Sequence, residues 1–344
     1  MLKDAETLRA LCALDGASGR EDAVREFVRE RLPADVAVTV DALGNLIAEK
    51  RGRARAAKKV ALFAHMDEVA LLVTHITDDG FLRFAPVGGI ESAALFGKAV
   101  RLESGKAGVI GGKAVHHLEK AARETLPKTD ALCIDVGART RGEAETAARL
   151  GDNAYFDSEF TSFGDGFLKA KALDDRVGVW MLLSLLQKEL PFDLTACFTV
   201  QEEIGTRGAA AAAFAVQPDF ALVLECTTAA DLAGVPADRQ VCALGRGPVV
   251  TFMDRGTVYD RGLVRLAFAR AKALGLPCQT KTRVAGGNDA AAVHKAGRGV
   301  RTLAVSVPCR YLHSPACVIR ESDVVHTQAL IEDLAEQLCH AAAL

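Results

Sequence analysis

The sequence has 344 residues, half of them hydrophobic, with 42 basic and 44 acidic side chains. This composition excludes a disordered chain, and the near balance of charge gives no electrostatic reason to expect nucleic acid or an anionic membrane as partner. At about 150 residues per domain, the length suggests two domains.

The first residues and the cysteines predict a protein of the cytoplasm. Residues 1–6 are charged and lack the hydrophobic core of a signal peptide. The sequence also contains no uncharged apolar stretch of ~18 residues, the length needed to cross a membrane. The nine cysteines form no Cys-x-x-Cys pair, and several lie in hydrophobic runs. We therefore expect reduced cysteines rather than disulfides or a thiolate zinc site.

In chain order, residues 1–68 predict the first part of an α/β domain. Two helices open the chain, and Ser18 with Glu21 forms a capping-box pattern before the second. The hydrophobic run at residues 60–64 is typical of a buried strand. Two further strands are predicted before it, at residues 36–40 and 46–48.

The pattern changes between residues 69 and 161, where short hydrophobic runs alternate with closely spaced glycines. Asp79-Gly80 lies between two such runs and is a strong hairpin signal. Paired glycines at 88–89 and 111–112 are further turn signals. We therefore expect residues 69–161 to form a small, inserted β-rich domain.

Helices and strands alternate again over residues 162–344, the second part of the α/β domain. Helices are predicted at residues 177–186 and 263–274 and over the last twenty residues. Strands are predicted at residues 194–200, 220–224, 248–252 and 303–307. This alternation predicts the α/β class, with a mixed sheet covered by helices on both faces.

Side chains that bind metals follow four of the predicted buried strands. These are His65 with Asp67, Glu202 with Glu203, Glu225, and His313; Asp174-Asp175 precedes a predicted helix. Because sites in open α/β sheets lie beyond the carboxyl ends of the strands, we expect these groups to converge. Taken singly, each has an ordinary alternative as a turn residue, a helix cap or a helix start.

The chemistry of this set suits a pair of divalent cations. Three carboxylates and one hydroxide would balance the charge of two cations, and the two imidazoles would complete the ligand shells. One carboxylate must bridge the metals, which stand ~3.5–4 Å apart in two-metal sites. Nitrogen and oxygen ligands without thiolate favour zinc, cobalt or manganese.

Four motifs of the chain resemble those of the glutamyl/deblocking aminopeptidase family, which includes the tetrahedral aminopeptidases. They are His65-Met66-Asp67-Glu68-Val69, Lys171-Ala172-Leu173-Asp174-Asp175-Arg176-Val177-Gly178, Glu202-Glu203-Ile204-Gly205, and Pro308-Cys309-Arg310-Tyr311-Leu312-His313-Ser314-Pro315. The similarity runs in the same order from about residue 8 to the end. It implies a metallopeptidase domain whose insert at residues 69–161 is a small β-barrel-like domain that serves dimerisation and assembly. It also implies a peptide substrate and a homo-oligomer between a dimer and a dodecamer.

Carried over by position, the resemblance implies a role for each candidate. His65 and Glu225 would bind one metal, Glu203 and His313 the other, and Asp174 would bridge them. Asp67 would hydrogen-bond His65 and fix its tautomer. Glu202 would be the general base for attack by a hydroxide held between the metals, so that N-terminal residues are released from short peptides. Zinc or cobalt is the expected metal pair, with manganese as an alternative.

The chain departs from the family pattern at three positions. Glu225 stands where the family usually has Asp, and in related dinuclear peptidases Glu accompanies carboxypeptidases and deacylases. An N-acyl amino acid deacylase or carboxypeptidase on the same fold is therefore one alternative, and a non-catalytic oligomeric binding protein is another. Ala70 replaces a usual glycine, and Asn288 replaces a usual threonine.

Three residues are candidates for contacts with the substrate, and each has an ordinary alternative. Gly287 could let backbone approach the substrate, or the Asn288-Asp289 pair could simply cap a helix at Ala290. Asp254 and Arg255, after the strand at 248–252, are candidate contacts for the end groups of the peptide; a surface turn is the alternative.

Overall fold

The computed structural model describes Leu2 and residues 4–340, without the side chains of residues 121 and 122. Its helices are α1 (Ala5–Ala13), α2 (Asp22–Arg31), α3 (Lys120–Arg123), α4 (Arg141–Ala144), α5 (Leu173–Leu186), α6 (Arg207–Val216), α7 (Arg261–Ala273), α8 (Ala290–Val293) and α9 (Glu321–His340). Short 3₁₀ turns lie at Ser92–Ala94, Val115–His117, Thr129–Ala131 and Ala237–Arg239.

The strands alternate with these helices outside the segment from β4 to β9. They are β1 (Val36–Val40), β2 (Leu46–Lys50), β3 (Val60–His65), β4 (Ala70–Ile76), β5 (Leu82–Val87), β6 (Ala99–Leu102), β7 (Ala107–Gly112), β8 (Leu132–Asp135), β9 (Asn153–Phe156), β10 (Thr161–Phe163), β11 (Phe167–Ala170), β12 (Leu194–Thr199), β13 (Phe220–Thr228), β14 (Val249–Val250), β15 (Gln279–Thr280), β16 (Arg301–Cys309) and β17 (Cys317–Arg320).

A large mixed sheet forms the centre of the α/β part, with strand order β1-β2-β12-β3-β13-β16-β14-β15. Strands β12, β3, β13 and β16 are parallel, so their carboxyl ends lie at one edge. Every residue of β3 and β12 is buried, because α5 and α9 form one helical layer and α6 with α8 forms another. The predicted fold class is confirmed.

The inserted unit is a closed barrel with strand order β4-β5-β8-β7-β6-β9. The hairpin predicted at Asp79-Gly80 joins β4 to β5, and Gly80 has the positive φ of +86° that this turn requires. Hydrophobic side chains from all six strands fill its interior. The boundaries of the insert at residues 68/69 and 161/162 stay a prediction.

A chain of ion pairs joins the barrel to the α/β part. Arg101 of β6 makes a bidentate pair with Asp15, with N···O distances of 2.6 and 2.8 Å. Asp15 Oδ1 lies 3.4 Å from the Lys171 ammonium, which in turn contacts both Glu68 oxygens at 2.6 and 2.9 Å. Lys171 and Glu68 are each only 2% exposed, and a buried pair of this kind needs both partners. The barrel is thereby fixed beside the end of β3, which carries His65, and the start of α5, which carries Asp174.

Three predicted details differ in the structure. The capping box is wrong, because α2 has no side-chain cap and both of its proposed members bond elsewhere: Ser18 Oγ donates to Asp67, and Glu21 accepts from Gln201. The strand predicted at residues 220–224 continues to Thr228, because it pairs along its whole length with β16. The last helix begins at Glu321, before the last twenty residues where it was expected, and residues 341–344 of that prediction lie outside the described residues.

Within the described part of the chain, no helix combines the length and the hydropathy needed to cross a bilayer.

Candidate metal centre

The sheet and its connections bring the predicted ligands to one place. His65 is the last residue of β3 and pairs in register with Thr199, the last residue of β12. Glu203 follows in the turn after β12, Glu225 lies within β13, and His313 lies in the loop between β16 and β17. Asp174 lies in the first turn of α5, where its φ and ψ of −85° and 110° are not yet helical.

Asp174 stands between the two imidazoles. Its Oδ1 lies 3.5 Å from His65 Nε2, and its Oδ2 lies 3.4 Å from His313 Nε2. Glu225 Oε2 is 3.7 Å from His65 Nε2, and Glu203 Oε1 is 3.3 Å from His313 Nε2. The ligand atoms thus form two groups that share Asp174, each compact enough to hold one cation.

The tautomers of both imidazoles follow from their other nitrogens. His65 Nδ1 lies 3.1 Å from the backbone oxygen of Asp67 and 3.4 Å from its Oδ1, and His313 Nδ1 lies 2.8 Å from the backbone oxygen of Gly89. A carbonyl oxygen only accepts hydrogen bonds, so each Nδ1 carries a proton. Burial opposes protonation of both rings, but the carboxylates facing Nε2 raise the pKa of each. A bound cation would take the place of the Nε2 proton, so that the lone pair of Nε2 points towards it, as in a metal-binding histidine.

The spacing of these atoms fits a cation in each group. Ligand atoms ~2.0–2.1 Å from a tetrahedral zinc ion stand ~3.3–3.4 Å apart. The separations of 3.3–3.7 Å between Nε2 atoms and carboxylate oxygens are close to this value. The same N···O separations are longer than those of ordinary hydrogen bonds. In addition, Glu225 Oε1 is buried and has no hydrogen-bond partner among the described residues.

The local charge also fits cations. Burial raises the pKa of Glu203 to about 7, and the neighbouring Asp174 charge adds to the effect. Burial also raises the pKa of Glu225 well above its ordinary value, with Asp175 and Glu202 contributing. Burial opposes ionisation of Asp174, but the imidazoles on either side lower its pKa below the usual range. Within the described residues no lysine or arginine pairs with these three carboxylates, and two bound cations would compensate them.

Asp67 organises the turn that follows β12. Its side chain is fully buried, and it accepts the backbone N–H of Glu202 at 3.0 Å and that of Glu203 at 3.1 Å. Ser18 Oγ donates a third bond of 2.6 Å to the same carboxylate. These bonds and the contact with His65 lower the pKa of Asp67, although burial opposes its ionisation. Asp67 thus links one candidate ligand to the turn that carries another.

Glu202 faces the centre beside this turn. Burial raises the pKa of its carboxyl group well above the ordinary value, and the charges of Asp289, Glu203 and Asp67 raise it further. A raised pKa makes this carboxylate a stronger proton acceptor, as a general base requires.

The family model of the M42 glutamyl aminopeptidases matches residues 44–330. The chain belongs to this family. An M42 protein is a hydrolase that acts on peptides, and the resemblance of the four motifs is thereby confirmed.

Relatives of this M42 chain share its whole length. The lysyl aminopeptidase of Pyrococcus furiosus is 34% identical, and the alignment covers 97% of each chain. The glutamyl aminopeptidase of Lactococcus lactis is 29% identical over 97% of this chain and 96% of its own. The TET1 peptidase of Pyrococcus horikoshii, which can assemble into a tetrahedron or a large octahedral shell, is 34% identical, with a TM-score of 0.84 over 96% of this chain and 98% of its own.

An archaeal structure agrees with the fold. An aminopeptidase from Desulfurococcus kamchatkensis superimposes on the M42 chain with a TM-score of 0.91 and 33% identity, over 96% of this chain and 94% of its own. The similarity includes both the sheet and the barrel, since most of each chain is covered.

Two of the predicted substrate contacts, Asp254 and Arg255, differ in their surroundings. Asp254 is 2% exposed, its Oδ1 accepts the N–H groups of Gly256 and Thr257 at 2.8 Å, and its Oδ2 accepts the hydroxyl of Tyr259. Both oxygens therefore accept hydrogen bonds within its own turn, which is the turn alternative, and contact between Asp254 and a substrate stays a prediction. Arg255 is exposed, and its role stays a prediction.

The Gly286-Gly287 segment lies beside the same turn, because the N–H of Arg255 donates to the oxygen of Gly286. Asn288 Oδ1 accepts the N–H of Ala290 at 2.9 Å, which is the capping alternative. Gly287 is exposed, and a β-carbon added there would meet no atom within 4 Å. Contact between Gly287 and a substrate stays a prediction.

A groove beside His313 lies between the barrel and the α/β part. It has a volume of about 680 Å³. Barrel residues of the 89–98 segment line one wall, and Gly286 with the loop from Tyr311 to Ala316 lines the other. Gly89, whose carbonyl orients His313, is part of this wall. The barrel therefore contributes both to the groove and to the orientation of a candidate ligand.

Proposed function

We propose that this chain is a dinuclear metallo-aminopeptidase that releases N-terminal residues from short peptides. The observation that supports it best is the placement of Asp174, whose two oxygens each face the metal-binding nitrogen of a different imidazole. His65 and Glu225 would hold one cation, and Glu203 and His313 the other. Zinc or cobalt suits these ligands, with manganese as an alternative.

Each residue beside the cations has a task in this proposal. When bound, the cations polarise the scissile carbonyl and make water nucleophilic at neutral pH. Glu202 takes a proton from the attacking water and passes it to the leaving amine. Asp67 holds the Glu202-Glu203 turn through both backbone N–H groups, so that the base keeps its distance from the ligands. The groove beside His313 has room for a peptide.

The sharpest test of the proposal asks whether the enzyme needs a free amine and from which end of a peptide it releases residues. We expect hydrolysis of dipeptides and aminoacyl anilides with a free amine, and none of their N-acetyl counterparts, because the relatives named above are aminopeptidases. The measurement is steady-state kinetics on matched free and blocked pairs with zinc, cobalt and manganese, and mass spectrometry of longer peptides. Loss of residues from the N-terminus supports the proposal.

The alternative rests on Glu225, which stands where the family usually has Asp. Cleavage of blocked substrates alone would establish a deacylase, and loss of residues from the other end of the peptides would establish a carboxypeptidase. Either result would contradict the aminopeptidase proposal.

Self-association belongs to the same proposal. It is supported by the closed barrel and by the similarity to a TET1 peptidase that forms closed shells. We expect light scattering to give a mass several times that of the 36.4 kDa chain, from dimers up to a dodecamer. A monomer at every concentration would show that the barrel does not serve assembly.

A further inference from the structure

Glu21 is a buried carboxylate that lies outside the proposed ligand set. Only 3% of its surface is exposed, and it makes no ion pair among the residues that the structure describes. Its Oε1 accepts the N–H of Gly19 at 2.8 Å and the N–H of Gln201 at 3.0 Å. Gln201 is 180 positions away along the chain and immediately precedes Glu202.

The turn that Glu21 contacts is strained at its first residue. Gln201 has a φ of +56°, a left-handed conformation that is strained for a residue with a side chain and persists only where the surroundings hold it. The next two N–H groups, of Glu202 and Glu203, donate to Asp67. Three successive amides are therefore held by two buried carboxylates, Glu21 and Asp67.

We propose that Glu21 is a positioning residue, which fixes the left-handed turn at Gln201 and thereby sets the place of the Glu202 carboxylate relative to the candidate metal ligands. The inference rests on the proposed role of Glu202 as general base. Glu21 itself touches neither the ligands nor the substrate groove. Its removal leaves the half-buried N–H of Gln201 without its side-chain acceptor, so the turn relaxes and the base is displaced.

The chain offers a matched control for the loss of a buried carboxylate. Asp323 is fully buried and likewise accepts two backbone N–H groups, those of Gly245 at 2.6 Å and Gly247 at 2.8 Å. Its turn contains none of the candidate site residues. Replacing Asp323 therefore tests what such a carboxylate contributes to stability alone.

The experiment compares Glu21→Met, Glu21→Asp, Glu21→Gln and Asp323→Leu in the metal-loaded enzyme, with whichever substrate the wild type hydrolyses. For Glu21→Met we expect kcat to fall about 10–100-fold, because displacement of a catalytic group by ~1 Å can cost this much. KM should stay within about twofold, since substrate binding does not involve the turn. Metal content, measured by elemental analysis, should stay at the wild-type value.

The conservative variants separate geometry from charge. Glutamine keeps an oxygen that can accept both N–H groups, and burial already raises the pKa of Glu21 to about 7, so Glu21→Gln should recover most of kcat. Glu21→Asp keeps the charge but is one methylene shorter, so we expect an intermediate kcat. This variant decides the question if Glu21→Met does not fold. Asp323→Leu should lower the melting temperature and leave kcat unchanged below it.

Three results would overturn the inference. They are an unchanged kcat in Glu21→Met or in Glu21→Asp, a loss of bound metal that accounts for the loss of rate, and an equal loss of rate in Asp323→Leu. Failure of the proposed function is a separate outcome, because it appears in the wild type as cleavage of blocked substrates only. The comparison of Glu21 variants can then still be made on those substrates.

Discussion

Replacing Glu202 by glutamine is expected to lower kcat at least ~10²-fold while both metals stay bound. Glutamine has nearly the same shape but cannot take a proton from water. The substitution leaves the backbone N–H of Glu202 free to donate to Asp67, so the turn should keep its geometry. Glu202 is not among the residues whose side-chain atoms form the two candidate cation groups, and metal content should therefore not change.

The measurement is kcat for a free-amine peptide together with the metal content of the same sample. Glu189→Gln is the control, because Glu189 is an exposed glutamate that pairs with Arg53 and precedes β12, whereas Glu202 follows the other end of that strand. Unchanged hydrolysis by Glu202→Gln would refute the assigned base. Wild-type protein that binds metal but hydrolyses neither free nor blocked peptides would instead favour the non-catalytic binding protein.

The fold was largely predictable because its elements follow from local patterns. Continuous hydrophobic runs at residues 60–64 and 194–200 have the composition of strands buried on both faces, and they form neighbouring strands of the sheet. Asp79-Gly80 between two such runs is enough to specify a hairpin. Glycine spacing alone indicated a β-rich insert, and closure of its strands into a barrel agrees with that prediction.

The convergence of the candidate ligands was also predictable, because parallel strands bring their carboxyl ends to one edge of a sheet. This rule places His65 and the residues after Thr199 together without any knowledge of side-chain packing. The rule does not predict how each side chain is oriented. The carbonyl of Gly89, which orients the His313 ring, is 224 positions away from it and belongs to the barrel.

Local patterns misled where a tertiary partner competed with them. Ser18 and Glu21 have the spacing of a capping box, but their oxygens bond Asp67 and the N–H of Gln201 instead. A helix start on the surface can be capped by water, whereas the turn after β12 is half-buried and its three successive N–H groups are held by Glu21 and Asp67. No signal in a single sequence distinguishes these two uses of the same residues.

At Asp254 the structure agrees with the local alternative of a turn residue. This residue was predicted to contact the end group of a substrate because it follows a strand, but the N–H groups of Gly256 and Thr257 fill its Oδ1 within the same turn. Aspartate followed two positions later by glycine is itself a turn signal, and here the local pattern describes the structure.

Addition of zinc or cobalt to metal-free protein is expected to stabilise the wild type, and Asp174→Ala should abolish this gain. A cation present at ~1,000 times its dissociation constant adds about 4 kcal/mol to the free energy of unfolding. Asp174 belongs to both candidate groups, so its loss weakens both at once, whereas loss of His65 or His313 affects one group directly. Unfolding is measured in denaturant, with and without metal, for each protein.

The informative quantity is the difference between the metal-loaded and metal-free curves of one variant, since Asp174→Ala also changes the metal-free protein. Asp323→Ala is the control: it removes a buried carboxylate elsewhere, so both of its curves should shift and the difference between them should persist. Full metal-dependent stabilisation in Asp174→Ala would mean that the cations bind without a bridging carboxylate. The two groups of ligands would then be independent sites, and the structure would not support attack on a peptide by a hydroxide held between two metals.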